Sequence, residues 1–362
     1  MFRSIYHGKR VLVTGHTGFK GSWLALWLKK LGAEVTGYAL PPPTIPNHYE
    51  LTAPEINSVT GCILDTAKLE QVFSEFSPEI VFHLAAQPLV RLSYSQPQET
   101  FQTNVLGTVN VLDACRQCNS VRAIVNVTSD KCYENREWVW GYRENDAMGG
   151  YDPYSASKGC AELVASSYRN SFFNPADYGR KHHTLLASCR AGNVIGGGDW
   201  AADRLIPDIM KAAAQKKTVE IRNPHAVRPW QHVLEPLSGY LQTGQKLLEG
   251  RIEFSGAWNF GPNDEEVIAV GDVVARMKRV WPEVNYSVPG NVEHPHEAGL
   301  LKLDCSKAAT LLKWHGVWDS TTTFSRTADW YRKFYENNVI LSDEDLELYI
   351  KAAEGQQLTW TK

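Results

Sequence analysis

The chain has 362 residues and a formal net charge of −3, with 37 lysines and arginines against 40 aspartates and glutamates. Because no block of like charge occurs, neither a nucleic-acid partner nor an anionic membrane surface is expected. The length favours two packed units over one small core. The apolar run at residues 11–13 is too short for a signal peptide or a membrane span.

Seven cysteines are scattered along the chain. Cys115 and Cys118 have C-x-x-C spacing, which suits a redox pair or half a zinc site, but no second such pair or close histidine pair completes it. We therefore expect ordinary thiols on a helix, no metal, and a reduced, cytoplasmic protein.

Short β-branched runs alternate with amphipathic stretches in the first half, which predicts an α/β fold with a doubly wound parallel sheet. The predicted strands span residues 10–14, 34–40, 60–64, 79–84, 123–128 and 184–190. The predicted helices span residues 21–31, 67–76, 101–118 and 157–172.

After residue 190 the chain is dominated by loops rich in Gly, Pro, Asn, Asp and Trp. Residues 192–203 and 223–230 have the composition of surface segments that cover a site. We predict a Rossmann-like dinucleotide domain over residues 1–190. A smaller substrate-binding α/β lobe is expected over 191–362, with some segments returning to the first domain.

Three glycines, Gly15, Gly18 and Gly21, lie between the first predicted strand and the first predicted helix. Glycines here permit a tight turn, close approach of the backbone to a pyrophosphate, and close helix–strand packing. The G-x-x-G-x-x-G spacing points to the short-chain dehydrogenase/reductase branch of the fold. The loop, with its residues Thr17, Phe19 and Lys20, is therefore the predicted dinucleotide site.

The identity of the dinucleotide stays open on residues alone. The end of the second strand, residues 37–41, has neither the acid that holds the ribose of NAD nor an arginine for a 2′-phosphate, although Lys20 is available for that role. Asp65, just past the third strand, is a candidate to bond the adenine amino group, and a helix N-cap is its alternative role.

Tyr154 and Lys158 are four residues apart at the start of a predicted helix and therefore lie on one face. A nearby ammonium favours the phenolate, so this pair can remove a hydroxyl proton. The alternative is a surface pair without function.

Ser129, Asp130 and Lys131 follow the fifth predicted strand, at the sheet edge where ligands bind in open α/β folds. The serine hydroxyl completes a Ser-Tyr-Lys set. An acid and a base behind it suit an enzyme that expels water. The alternative is an aspartate N-cap followed by a surface lysine.

Four motifs carry a resemblance to a known family: GHTGFKGSW at 15–23, TSDKCYEN at 128–135, RAGNVIGGGDW at 190–200 and RPWQHVLE at 228–235. With these motifs the chain resembles the extended short-chain dehydrogenase/reductase family of nucleotide-sugar enzymes along essentially its whole length, and its 4,6-dehydratases in particular. The resemblance implies NAD, retained through the cycle, and CDP-glucose as the substrate that becomes a 4-keto-6-deoxy sugar.

The resemblance also implies catalytic roles. Tyr154, aided by Lys158 and Ser129, takes the C4 hydroxyl proton. The related dTDP-glucose dehydratases have an Asp-Glu pair, acid and base, where this chain has Asp130 and Lys131. We therefore expect Asp130 to protonate the C6 hydroxyl and Lys131, which must be neutral, to remove the C5 proton.

Further residues are implied at the two ligands. Ala85, Ala86 and Asn104 are expected against the cofactor. The expected substrate residues are Asn193, Arg204, Arg228, Trp230 and His232, with the arginines at the pyrophosphate. Lobe packing is the alternative for Trp230. Related enzymes pair through two long helices, so a homodimer or a dimer of dimers is expected. The competing functions are a nucleotide-sugar 4-epimerase, a dehydratase that acts on another nucleotide hexose, and a non-catalytic NAD-sensing or scaffold protein.

Overall fold

The computed structural model describes residues 1–221, 224, 227–262, 267–288 and 300–362, without the side chains of Val227, Arg228 and Val267. Its strands are β1 Arg10–Thr14, β2 Glu34–Ala39, β3 Asn57–Thr60, β4 Ile80–His83, β5 Ala123–Val127, β6 Leu185–Ala191, β7 Val194–Ile195, β8 Thr218–Glu220, β9 Val227–Pro229, β10 Gln231–His232, β11 Ala257–Phe260, β12 Val267–Ala269 and β13 Asn285–Ser287.

The helices are α1 Phe19–Lys30, α2 His48–Thr52, α3 Thr66–Phe76, α4 Val90–Ser95, α5 Pro97–Phe101, α6 Gly107–Gln117, α7 Pro153–Ser171, α8 Leu205–Ala214, α9 Leu234–Leu248, α10 Val270–Val280, α11 Ser320–Asn337 and α12 Ser342–Gly355. A π-helical turn, Gln102–Leu106, joins α5 to α6.

Seven parallel strands form the main sheet in the order β11-β6-β5-β4-β1-β2-β3. The order reverses between β1 and β4, which leaves a crevice at their carboxyl ends. Ligands of doubly wound sheets bind in such a crevice. The predicted Rossmann-like fold is confirmed, and β11 adds a seventh strand that the sequence did not predict.

The predicted third strand was placed too late, because β3 ends at Thr60 rather than continuing to residue 64. A side chain at Gly61 would lie 2.4 Å from the ring of Tyr38, so this position needs a glycine, and the chain leaves the sheet here. The predicted helix 157–172 was also too short: α7 begins at Pro153, because Asp152 caps it by accepting a hydrogen bond from the Ser155 amide at 2.9 Å.

The predicted helix 101–118 is interrupted by the π-helical turn, which carries Asn104. The Asn104 side chain accepts from the Gln87 amide at 2.8 Å and donates to the Gln87 carbonyl at 3.0 Å. A π-turn widens the helix locally and is common beside functional sites. Here it lets one side chain bond the loop that follows β4.

Apolar residues form cores on both faces of the sheet and a separate core in the lobe. The lobe core draws on residues between Ile195 and Val284 and between Phe324 and Leu341. Part of the second half returns to the sheet: β11 extends it, α9 packs on β5 and β6, and Trp360 stacks on Phe2 with ring centroids 5.2 Å apart. The lobe is therefore interleaved with the first domain.

Within the described part of the chain, no three histidine, cysteine, aspartate or glutamate side chains are grouped to hold a metal ion. The same residues include no helix long and apolar enough to cross a membrane. None of the seven cysteines, which all lie in the described ranges, forms a disulfide.

Candidate active site

The glycine loop wraps closely around the end of β1. A side chain at Gly15, where φ is +78°, would lie 2.7 Å from the Ala85 amide nitrogen, and one at Gly21 would lie 2.1 Å from the Gly15 carbonyl oxygen. Helix α1 begins after Gly18 without a side-chain cap, so its first amides are open to a phosphate. These features fit the pyrophosphate of a dinucleotide.

The side chains of the other loop residues point in two directions: Thr17 toward the end of β2, and Phe19 and Lys20 toward the second half of the chain. The Thr17 hydroxyl donates to the Leu40 carbonyl at 2.9 Å, beside the end of β2. The Phe19 ring contacts the lobe, because a Cβ atom added at Gly196 would lie 3.4 Å from Phe19 Cζ. Lys20 extends toward Tyr240 on α9, with its Nζ atom 3.4 Å from the Tyr240 hydroxyl. A role for Lys20 at a 2′-phosphate beside β2 is therefore not supported.

Asp65 is exposed and caps α3 by accepting from the Lys68 amide at 3.1 Å. The N-cap alternative is thus correct, and the adenine contact stays a prediction. Ala85 and Ala86 are half-buried after β4, on the opposite side of the crevice from β2.

Asn104 does not have a free side chain for the cofactor. It is 1% exposed, and its amide nitrogen also donates to the Ser157 hydroxyl at 2.8 Å. Together with the bonds to Gln87, this engages both the oxygen and the nitrogen of the Asn104 side-chain amide in hydrogen bonds. The contact with the cofactor stays a prediction, and in this structure Asn104 ties the loop after β4 to α7.

Four predicted catalytic residues meet at the carboxyl ends of β4 and β5. Tyr154 and Lys158 lie one turn apart on α7, and Ser129 and Asp130 follow β5 directly; all four are buried. The Ser129 hydroxyl donates to Asp130 Oδ1 at 3.0 Å and is within hydrogen-bond reach of Tyr154. The structure brings these groups together because α7 and the segment that follows β5 converge at this edge of the sheet.

Ser129, rather than Asp130, caps the short turn that follows β5, since its Oγ atom accepts from the Lys131 amide at 3.3 Å. The predicted alternative of an aspartate N-cap is therefore wrong. The Asp130 carboxyl packs against Gly192, where a side chain would lie 2.8 Å from Asp130 Oδ2. Lys131 is half-buried, and its charge lowers the pKa of Asp130.

Burial dominates the ionisation of this centre. It raises the pKa of Tyr154 to about 12, although the Ser129 hydrogen bond and the Arg204 charge lower it. From the sequence, Lys158 was expected to lower the pKa of Tyr154 below its ordinary value. In the structure this pKa is raised instead. Burial lowers the pKa of Lys158 to about 8, although the Glu162 carboxylate acts to raise it. Burial also raises the pKa of Asp130.

Behind the centre lies a buried polar network that sequence reasoning missed. It consists of Thr128, Tyr133, Glu162, Arg190 and Asn259. Arg190 pairs with Glu162 at 2.7 Å, and their side chains are 4% and 3% exposed. The Thr128 hydroxyl donates to Glu162. Arg190 also donates to the Tyr133 hydroxyl at 2.6 Å, which donates to Asn259 at 2.7 Å. The available signal was Glu162, one helical turn beyond Lys158.

Two predicted substrate residues approach the centre from the lobe. Arg204 precedes α8, pairs with the buried Asp199 at 2.9 Å, and its charge acts on Tyr154. Asn193 is half-buried, and its carbonyl accepts from the Gln231 amide at 3.1 Å where β7 pairs with β10. Both positions are compatible with the predicted roles.

Two others are packed elsewhere. His232 is fully buried, with its ring 4.8 Å from that of Trp318, and the nucleotide contact stays a prediction. Trp230 belongs to the lobe core and lines a small cavity with Trp314 and Trp318, which favours lobe packing as its role. The Arg228 side chain lies outside the described residues.

A reversing parallel sheet, a glycine loop open to phosphate and a Ser-Tyr-Lys set together define a dinucleotide-dependent enzyme of the short-chain dehydrogenase/reductase type. Comparison with known proteins narrows this class. The family model described as GDP-mannose 4,6 dehydratase matches residues 12–327. The chain belongs to that family.

Among curated relatives, CDP-glucose 4,6-dehydratase of Salmonella typhimurium is 55% identical over 354 residues, which cover 97% of this chain and 98% of the relative. UDP-glucuronate 4-epimerase 1 of Arabidopsis thaliana is 26% identical, with 91% and 78% covered. Epimerase Mth375 of Methanothermobacter thermautotrophicus has a solved structure with a TM-score of 0.78, 24% identity, and 95% and 96% coverage. This last similarity shows the fold.

Proposed function

We propose that the chain catalyses the NAD-dependent dehydration of CDP-D-glucose to CDP-4-dehydro-6-deoxy-D-glucose, the activity of a hydro-lyase. The observation that carries this proposal is the buried Asp130 carboxyl in contact with Ser129, beside Tyr154. Oxidation at C4 alone needs only Tyr154 and Lys158. A buried acid at the same centre supplies the further proton transfer that loss of water requires.

The similarity to the Salmonella typhimurium enzyme supports the choice of substrate, because 55% identity extends over nearly all of both chains. NAD is the proposed cofactor, held through the amides of the glycine loop, with Asp65 at the adenine and Ala85 and Ala86 on the other side. When bound, NAD accepts a hydride from C4 of the sugar and later returns it to C6.

The residues of this chain move the protons. Tyr154 takes the C4 hydroxyl proton as a phenolate, and the cations Lys158 and Arg204 stabilise that phenolate before the transfer. Ser129 orients the same hydroxyl. Asp130, whose pKa burial raises, is held ready to protonate the C6 oxygen as it leaves. Lys131 is the proposed base for the C5 proton, which the C4 ketone makes acidic, and it has to give up its own proton before that step.

Substrate contacts are proposed for Asn193 and Arg204, and also for Arg228 because it begins the RPWQHVLE motif. Arg204 suits a phosphate because its guanidinium is already oriented by Asp199. Trp230 and His232 are not part of this proposal, since Trp230 packs in the lobe core and His232 is buried against the ring of Trp318.

We also propose a homodimer, formed through α5, α6 and α7. Four apolar side chains on and between these helices are 38% to 60% exposed: Phe101, Leu106, Leu163 and Phe172. Light scattering during size-exclusion chromatography tests this, and a mass of one chain contradicts it. A cytoplasmic location is likewise proposed, and the described cysteines, none of which is paired in a disulfide, support it.

Incubation with CDP-, dTDP-, UDP- and GDP-linked glucose, followed by mass spectrometry, tests the proposed function. The expected result is loss of one water from CDP-glucose, with the other three turned over at least about tenfold more slowly. An isomer of unchanged mass would instead identify a 4-epimerase, and dehydration of another nucleotide sugar would overturn the proposed substrate.

A further inference from the structure

An ion pair joins the first domain to the lobe. Arg91, on α4, donates from Nη1 to Asp203 Oδ1 at 2.8 Å, although the two residues are 112 positions apart in the chain. Helix α4 comes soon after the loop that follows β4, and Asp203 directly precedes Arg204. The pair therefore connects the loop proposed to face the cofactor with the arginine proposed to bind the substrate phosphate.

The Arg91 end of this pair is fixed to the loop that follows β4. In that loop the Gln87 side chain accepts from the Leu89 amide and donates to the Leu89 carbonyl at 3.1 Å. Asn104 holds the Gln87 backbone through hydrogen bonds of 2.8 and 3.0 Å. Leu89 is the residue before α4, two positions from Arg91. Arg91 therefore starts from a well-anchored part of the first domain.

The Asp203 end belongs to a short turn that is anchored in the lobe. Asp199 Oδ1 accepts from the Ala201 amide at 3.0 Å, and Asp199 Oδ2 accepts from Arg204 at 2.9 Å. Trp200, between them, is buried in the lobe core. Asp203 has a left-handed backbone, with φ at +58°. This conformation is uncommon outside glycine and persists when the surrounding structure supports it.

We propose that Arg91 is a positioning residue for substrate binding that acts through Asp203. By holding the Asp203 carboxylate, it fixes the direction in which the chain enters Arg204, while Asp199 orients the Arg204 guanidinium. An arginine held at both points loses less conformational freedom when it binds a phosphate, so the affinity for the sugar nucleotide is higher. No bond of the reaction involves the pair, so the chemical steps keep their rates without it.

This inference rests on the proposed role of Arg204 at the substrate phosphate. The alternative is that the Arg91 guanidinium attracts the anionic substrate directly, and the two roles predict opposite results at Asp203. If Arg91 acts directly, removal of the Asp203 carboxylate frees its cation and takes away a negative charge, so binding tightens. If Arg91 acts through Asp203, the same change weakens binding.

The test compares Arg91→Met, Asp203→Asn, the double variant and Arg91→Lys with wild type, all as holoenzymes. Asparagine tolerates a left-handed backbone, so the turn can keep its shape. Lys30→Met is the control, because Lys30 forms an ion pair of the same length, 2.8 Å, with Glu347 between α1 and α12. Steady-state kinetics give KM and kcat for CDP-glucose. Isothermal titration calorimetry gives the Kd of CDP, which keeps the pyrophosphate but is not turned over.

In Arg91→Met and in Asp203→Asn we expect KM and Kd to rise by about two- to fivefold, the size typical of a partly exposed ion pair, while kcat stays at the wild-type value. The double variant should bind no more weakly than either single variant, because both changes break the same contact. Arg91→Lys keeps a cation and should recover most of the affinity. Lys30→Met should match wild type.

Tighter or unchanged binding in Asp203→Asn would overturn the inference, and so would additive losses in the double variant or a lower kcat at unchanged KM. If wild type leaves CDP-glucose undehydrated, the proposed function is what fails. Calorimetry with the nucleoside diphosphate that wild type binds most tightly then still decides the role of Arg91. An active wild type with a normal Arg91→Met variant removes the Arg91 inference alone.

Discussion

The polar network behind the reaction centre and the aromatic core of the lobe are equally buried but depend on different interactions. The network joins charges and hydroxyls, with Arg190 and Glu162 paired at 2.7 Å. The lobe core stacks large rings: Trp330 lies 5.7 Å from Trp200 and 5.6 Å from Phe334 between ring centroids. The network includes Glu162 of α7, the helix that holds Tyr154 and Lys158.

The difference has a physical reason. Hydrogen bonds and ion pairs are directional, so a buried network fixes the relative positions of β5, β6 and α7, from which the catalytic groups extend. Ring packing stabilises mainly through buried apolar area and tolerates small shifts. We therefore expect changes in the network to alter chemistry and stability together, and changes in the lobe core to alter stability alone.

The largest effect on chemistry without an effect on stability is expected at Tyr154. Tyr154→Phe removes the proposed proton acceptor but keeps the ring, so turnover should fall by about 10²- to 10⁴-fold. Bound NAD and the melting temperature should match wild type. Steady-state kinetics and cofactor release on denaturation measure this, and wild-type turnover would remove Tyr154 from the proton transfer.

Lys131→Ala separates the two chemical steps. Loss of the proposed C5 base should permit C4 oxidation but slow water loss by about 100-fold or more. The 4-keto intermediate should then accumulate and be detected by mass spectrometry. Lys68→Ala, at an exposed position on α3, is the control and should behave as wild type. Normal dehydration in Lys131→Ala would exclude Lys131 from the mechanism.

Glu162→Gln breaks the network by leaving the buried Arg190 without its anion. The free energy of unfolding should fall by about 3–5 kcal/mol, the usual result of breaking one side of a buried pair. The Glu162 charge raises the pKa of Lys158, so its removal lowers that pKa. Activity should decline at alkaline pH as Lys158 loses its proton. In the variant, this alkaline limb of the pH–activity profile should therefore move to lower pH.

Trp330→Ala is the matching change in the lobe core, where Trp330 is fully buried. The cavity should lower the free energy of unfolding by about 3–5 kcal/mol, a loss similar to that of Glu162→Gln. The pH profile at a temperature where the variant is folded should stay unchanged. Chemical denaturation and pH-rate measurements test the pair, and a shifted profile in Trp330→Ala would contradict the contrast between the two regions.

The last expected effect concerns stability at acidic pH and leaves the chemistry at neutral pH unchanged. Burial lowers the pKa of His16 to about 4 and that of His48, His83 and His232 to about 3, from an ordinary value of 6.5. Below pH 6.5 the unfolded chain binds protons that the folded chain does not. Stability should therefore fall as the pH drops from about 6.5 toward 4.

His48 bonds the hydroxyls of Ser22 at 2.8 Å and Ser342 at 2.9 Å, between α1 and α12. In His48→Gln one titrating group is gone, so the slope of unfolding free energy against pH should become shallower by up to about 1.4 kcal/mol per pH unit in that window. Urea denaturation at several pH values measures it. An unchanged slope would show that His48 does not contribute.

The sequence by itself determined the parallel sheet, the glycine loop and the grouping of Ser129, Asp130, Tyr154 and Lys158. These features follow from local rules, because β-branched runs, glycine spacing and helical periodicity act over a few residues. The ends of parallel strands meet at one edge wherever the sheet forms. Strand and helix ends were less well predicted: Gly61 against Tyr38, and the Asp152 cap of α7, shifted two of them.

Only the tertiary structure decided which side chains are free to act. Asn104 and His232 have the residue types of ligand contacts, but the folded chain uses one to hold a loop and buries the other among aromatic rings. Lys20 lies in the loop predicted to bind phosphate, yet it extends to Tyr240, which is 220 residues away in the chain. Contacts over such separations depend on how α9 packs against β5 and β6, and no local pattern encodes that packing.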